Sequence, residues 1–121
     1  MSKTQEVSLL SYLDDQLVVK RRELQTKLEK ILGSRNVYFQ PPPGFMLKYP
    51  CVVYNRSPLF TMKADDTNYI NRGHFSVTYI DSNVERSIAM MSTILDSFDH
   101  ISVERSFVSD NLNHDVYNLY Y

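Results

Sequence analysis

From residue 4 to residue 32, apolar side chains recur at helical spacing. Leu10, Leu13, Leu17, Leu24, Leu28 and Ile31 fall on one face at intervals of three, four and seven. Arg21 stands where that stripe would continue, so the pattern predicts a solvated turn or a kink at Lys20-Arg21-Arg22. Glu23 and Lys27 form a supporting pair four residues apart, and Gly33 is placed to cap the C-terminus. The helix is long for so small a domain, so its first turn is expected to fray or to pack on a neighbouring copy. Val37 to Gln40 carry a short strand signal, and Pro41-Pro42-Pro43-Gly44 reads as a stiff, extended connector. Residues 49–56 run without alternation through Cys51, Val52, Val53 and Tyr54, as a strand buried on both faces does. Leu59 to Ala64 reads as a second short strand and Asp65-Asp66-Thr67-Asn68 as a turn.

The alternation is cleanest over residues 69–80. Phe75, Val77 and Tyr79 share one face, His74, Ser76, Thr78 and Ile80 the other, and Gly73 suggests a bulge. Ser82-x-x-Glu85 is a capping box for a second helix over about residues 83–98, with Val84, Ile88, Met91, Leu95 and Phe98 as its apolar stripe. Ile101 to Phe107 and Asp115 to Tyr121 are two strands joined through Ser109–Asn113, most naturally as an antiparallel hairpin. This order predicts an α+β fold: a mainly antiparallel sheet of five to six strands with two helices packed on it, in a single domain over residues 1–121. There is no internal repeat and no low-complexity tract.

Composition narrows the function. With 43% hydrophobic and 22% charged residues, the chain of 121 is ordinary globular material. Its formal net charge of −1 lacks the basic excess that a sequence-independent nucleic-acid binder uses to neutralise phosphates. The one cysteine rules out an internal disulfide and points to a reducing compartment. No apolar run approaches a membrane span and no signal pattern opens the chain, so a soluble protein is expected. Nine Tyr and six Phe beside three Gly and no Trp favour half-buried sheet surfaces and protein interfaces.

Candidate chemistry is sparse. Cys51, His74, His100 and His114 are the only thiol and imidazoles. Cys51 sits mid-strand between apolar neighbours, where a buried hydrophobe is expected rather than a thiolate nucleophile. His114-Asp115 and Asp99-His100 are adjacent pairs whose side chains diverge, so no metal site is expected. Glycines at 33, 44 and 73 make no phosphate cradle. Asp14-Asp15 and Asp65-Asp66 read as solvated charge. A single-stranded nucleic-acid surface built on Tyr69, Arg72, Phe75 and Tyr79 is the main rival to a protein that works by assembly. No catalytic, cofactor-binding or metal residues are therefore assigned.

Four segments carry a resemblance. Tyr49-Pro50-Cys51-Val52-Val53-Tyr54, Lys63-Ala64-Asp65-Asp66-Thr67-Asn68-Tyr69, His74-Phe75-Ser76-Val77-Thr78-Tyr79-Ile80-Asp81, and the run from Asp110 to Tyr121 (DNLNHDVYNLYY) occur in order and spacing. Together they resemble short proteins of tailed bacteriophages encoded among head–tail connection genes, the tail terminator or tail completion proteins. The similarity runs from residue 45 to residue 121; the N-terminal helix matches in position and character only. It implies an α+β fold, no enzymatic activity, no cofactor, and a homo-oligomeric ring, a hexamer, at the head-proximal end of the tail tube. The implied partners are further copies of the chain, the tail tube protein and the head-side connector. DNA would pass through the lumen without specific binding. The implied location is the virion neck, after assembly in the host cytoplasm. A ring subunit needs axial loops, for which the Phe39–Tyr49 and Lys63–Asn71 segments are candidates. Interface residues expected on these grounds are Phe39, Phe45, Met46, Lys63, Asp65, Asp66, Tyr69 and Arg72. A neighbouring neck component, a head-closure or tail-to-head joining protein, is the alternative within the class; a small nucleic-acid-binding regulator lies outside it.

Overall fold

The computed structural model describes residues 2–61 and 73–121, with side chains for 17–57 and 73–121. The elements run α1 (Ser2–Leu32), β1 (Val37–Phe39), β2 (Cys51–Thr61), β3 (Gly73–Asp81), α2 (Val84–Ser97), β4 (Ile101–Ser109) and β5 (Leu112–Tyr120). One five-stranded sheet has the order β1-β2-β3-β5-β4. Three of its pairings are antiparallel and β1 pairs with β2 in parallel, so the expected α+β architecture holds with a mixed sheet. The parallel pair follows from the proline run: an extended, donor-poor stretch carries the chain back alongside β1 instead of turning it tightly.

Both helices cover one face of the sheet. Leu24 and Leu28 of α1 and Ile94 of α2 join Val52, Tyr54, Phe75, Val77, Tyr79, Tyr117 and Leu119 in a single apolar cluster. The alternation read for β3 is what the sheet uses, because Phe75, Val77 and Tyr79 face the helices and are at most 1% exposed. On the opposite face, Cys51, Ile80 and Val116 are also buried, as the unbroken apolar run at residues 51–54 requires. Gly33 ends α1 in the left-handed region, at φ +79°, and its N–H donates to the Glu29 carbonyl.

Several expectations are corrected. α1 runs unbroken through residues 20–22, with no turn and no division into two shorter helices. Arg21 keeps its place on the inner face because it is satisfied there: Nη1 donates to the Tyr54 hydroxyl (3.2 Å) and the guanidinium lies 5.0 Å from the Phe39 ring centroid. Residues 59–61 continue β2 rather than starting a new strand, and the extra length shows as a register shift between Arg56 and Thr61, opposite Gly73. The hairpin strands are longer than predicted. They close through the two-residue turn Asp110-Asn111, both at positive φ, the backbone of a tight type I′ turn. The cap of α2 is Asn83, whose side chain accepts the Arg86 N–H, and not Ser82.

The sheet-facing side of α2 is also rotated from the predicted stripe. Ser87 and Ile94 are buried, whereas Val84 and Ile88 are 56% and 66% exposed. The cause lies at the turn into the helix. Asp81 grips Arg86 and receives the Asn83 N–H, which fixes the azimuth of the first turn and brings small Ser87 against the sheet.

Candidate functional site

Among the described residues, the densest polar constellation gathers around Asp81. The Asp81 carboxylate is fully buried at the end of β3. Its Oδ2 accepts from the Tyr79 hydroxyl (2.5 Å) and Arg86 Nε (2.6 Å); its Oδ1 accepts from the Asn83 N–H (2.9 Å) and Arg86 Nη2 (2.7 Å). Burial pushes the carboxyl pKa up, but the two-pronged Arg86 contact and the Tyr79 and Asn83 donors outweigh it and hold the group at about 2. A carboxylate so saturated with donors has no lone pair aimed at a substrate. It clamps the β3–α2 turn.

Cys51 is fully buried, and burial, followed by the Asp81 charge, raises its pKa to about 11. A thiol poised for attack is shifted the other way, so Cys51 is a packing residue. Two of the three imidazoles are engaged in cross-strand stacks on the helix-free face. His74 lies 4.3 Å from Tyr120 and His114 4.7 Å from Phe107, both nearly parallel. Among the described residues no group of three or more His, Cys, Asp and Glu converges as a metal site would.

Of the expected interface residues, three lie in the described structure. Phe39 is half-buried between Tyr54 (4.9 Å between centroids) and Arg21. Phe45 is half-exposed and meets the Tyr38 ring edge to face at 5.5 Å, while Met46 projects at 87% exposure. Phe45 and Met46 thus share the residues 40–50 loop, one half-tucked and one presented to solvent, with Phe39 apart on the inner side of the sheet. Lys63, Asp65, Asp66, Tyr69 and Arg72 lie outside the described residues, as does the whole Lys63–Asn71 segment expected as an axial loop. The nucleic-acid surface loses two of its members, since Phe75 and Tyr79 are buried against the helices.

Sequence reasoning missed the two sheet edges. At one edge, β4 is exposed along almost its whole length and presents Val103, Phe107 and Val108. A bulge at Glu104 interrupts its register with β5. At the other edge, Leu17, Val18, Arg21, Phe39, Gln40, Arg56 and Phe75 line a concavity of about 340 Å³. A β4 read only as a hairpin arm gives no sign of this: unlike the inward-facing β3 residues, its Val103, Phe107 and Val108 stay exposed, covered by none of the described elements. Among the described residues, no helix is long and apolar enough to cross a membrane. No family model, no curated protein and no solved structure matches the chain.

Proposed function

We propose that the chain is a structural subunit of a tailed-phage virion, a tail terminator or tail completion protein. In this reading it forms a homo-oligomeric ring, a hexamer, on the head-proximal end of the tail tube, ends tube polymerisation and joins the tail to the head connector. The motif resemblance at residues 49–54, 63–69, 74–81 and 110–121 motivates it. The observation that carries it is the placement of exposed apolar side chains. Val18 on α1 and Val103, Phe107 and Val108 on β4 lie at opposite sides of the sheet, and Met46 projects from a loop. A ring subunit needs two different lateral surfaces and separate axial ones, and single copies with such edges leave apolar area in water that neighbours would cover.

The test is native mass with negative-stain imaging of the purified chain, followed by tagging in infected cells. A closed annulus, and tagged protein that co-sediments with free tails, is the expected result. Tag found on tail-less heads and never on free tails would assign the chain to the head side of the neck. Salt-dependent DNA binding by a monodisperse monomer would replace the assembly reading with a nucleic-acid-binding one.

A further inference from the structure

We infer that Asp115 is a docking site for a protein partner that presents a lysine or arginine side chain, the cation set on the Asp115 carboxylate and its stem on the aliphatic walls around it. The inference stands whether or not the chain closes into a ring.

Asp115 lies on β5 opposite Tyr79 of β3 and Ser106 of β4, hence on the helix-covered side, and is 6% exposed. A carboxylate that deep is normally paired or saturated with donors, because it has lost most of its water. Asp81, its diagonal neighbour on β3, follows that rule. Asp115 does not, because each nearby donor is spent or makes no contact. The Tyr79 hydroxyl donates to Asp81, and Arg86 holds Asp81 with two nitrogens. Tyr117, two residues along the same face, has a buried hydroxyl with no hydrogen-bond partner among the described residues. Burial, then the Asp115 charge, push the Tyr117 pKa up, so the two groups lie close without bonding. Arg105 pairs in register with Val116 and belongs to the other face of the sheet. Among the described residues no hydrogen bond or ion pair reaches the Asp115 carboxylate. Unlike the Tyr117 hydroxyl, it is not sealed from the surface, so an outside donor can reach it.

The surroundings select the ligand. α1 lies over β1 and β2, and α2 over β3 and β5. Thr93 and Ser97 line the groove that α2 shares with α1, while Ser87 and Ile94 face the sheet. At about 100° per residue, Val84 and Ile88 then fall on the flank of α2 turned toward β4. Val103 and Val108 pair with Tyr117 and Asn113, on the Asp115 side of the sheet. These four exposed side chains border the carboxylate with aliphatic carbon, which suits the stem of a long cationic side chain. The charge around it is acidic. Residues 81–121 carry seven carboxylate side chains against Arg86 and Arg105, and Glu85 and Glu104 are exposed on α2 and β4. One carboxylate is not a metal site, and no ligand cluster converges among the described residues. With walls 41–68% exposed the site is open. A free amine would leave most of its surface in water there, whereas a side chain carried on a partner's apolar surface covers the four aliphatic groups as well.

The experiment titrates the isotope-labelled full chain with two acetylated, amidated tripeptides, leucine–arginine–leucine and leucine–citrulline–leucine. Citrulline keeps the shape of arginine and lacks its charge. Backbone amide NMR shifts report both the place and the affinity of binding. Shifts are expected around Asp115, Val84, Ile88 and Ser106, with the arginine peptide bound about tenfold or more tighter than the citrulline peptide. Asp115→Asn should abolish that preference and fold at least as stably as wild type, since it removes a buried charge that has no partner. Equal binding of the two peptides, shifts centred elsewhere, no binding, or a D115N chain that keeps the preference would each overturn the site. A D115N chain that no longer folds would show the carboxylate to be a structural partner within the chain, and would overturn it as well.

Discussion

Replacing Asp81 by Asn isolates the clamp at the β3–α2 turn. The substitution keeps size and shape but turns one acceptor oxygen into an N–H2 donor. Oδ2 faces Tyr79 Oη and Arg86 Nε, and Oδ1 faces the Asn83 N–H and Arg86 Nη2. Whichever way the amide is flipped, donors oppose donors at one of these positions. One charge-assisted arm of Arg86 is lost outright and the other is weakened to a neutral acceptor. Arg86 is half exposed and regains water, so the cost stays below that of stranding a buried charge. About 2–4 kcal/mol is expected, a fall in Tm on the order of 10 °C for a chain of this size. The pH dependence adds an independent reading. The folded carboxyl titrates at about 2 against an ordinary 3.8. Its contribution, about 2 kcal/mol, is present above pH 4 and is lost as the pH falls through 4 toward 2, because the unfolded chain takes up the proton first. Urea unfolding of both proteins between pH 7 and pH 2.5 measures this. The gap should be widest near neutrality and shrink on acidification. A D81N protein within about 0.5 kcal/mol of wild type at pH 7, or a gap that does not change with pH, refutes the clamp.

Gly33→Ala should cost about 1 kcal/mol by chemical denaturation, since φ is +79° there and the added Cβ meets no atom within 4 Å; strain, not crowding, is what it reports. Tyr117→Phe should be neutral or slightly stabilising, because the buried Tyr117 hydroxyl has no hydrogen-bond partner among the described residues; a loss above about 1 kcal/mol would reveal one. Cys51 should resist a disulfide-exchange reagent in the native state at pH 8 and react only on unfolding, its thiol being buried and raised to about 11. Asn111→Val in the hairpin turn, at φ +62°, should destabilise by about 1–2 kcal/mol in thermal unfolding, and Asn111→Gly should not.

Where one force dominates, the sequence was legible. Alternation fixed the inner face of β3 because a half-buried strand has only two choices. Gly33 and the 109–113 turn residues marked real chain reversals. Readings failed where two answers carried similar energies. α2 holds two apolar arcs, Val84-Ile88-Met91-Leu95 and Met90-Met91-Ile94-Phe98; period alone cannot say which faces inward, and a polar contact outside the helix decides. Arg21 looked like a break in a stripe because its satisfaction depends on Tyr54 and Phe39, distant in sequence. The sheet edges were invisible because exposure is a property of strand order, which residue pattern does not encode.

The choice at α2 links the clamp to the surface. Turning the helix by one residue would bring Val84 and Ile88 toward the sheet. Full burial of such side chains is worth about 1.5–3 kcal/mol each, and they are now 56% and 66% exposed, so roughly half that gain is forgone. The same turn would swing Arg86 off Asp81 and lift Ile94, fully buried, partly into water. Loss of the clamp, about 2–4 kcal/mol, and of Ile94's burial together exceed what Val84 and Ile88 would recover. The isolated fold is therefore stable with an apolar flank in solvent, and the residual driving force of that flank is available to association. Under the assembly reading proposed above, this flank, beside an edge strand that none of the described elements covers, is apolar area whose burial by a neighbour would recover part of the forgone gain.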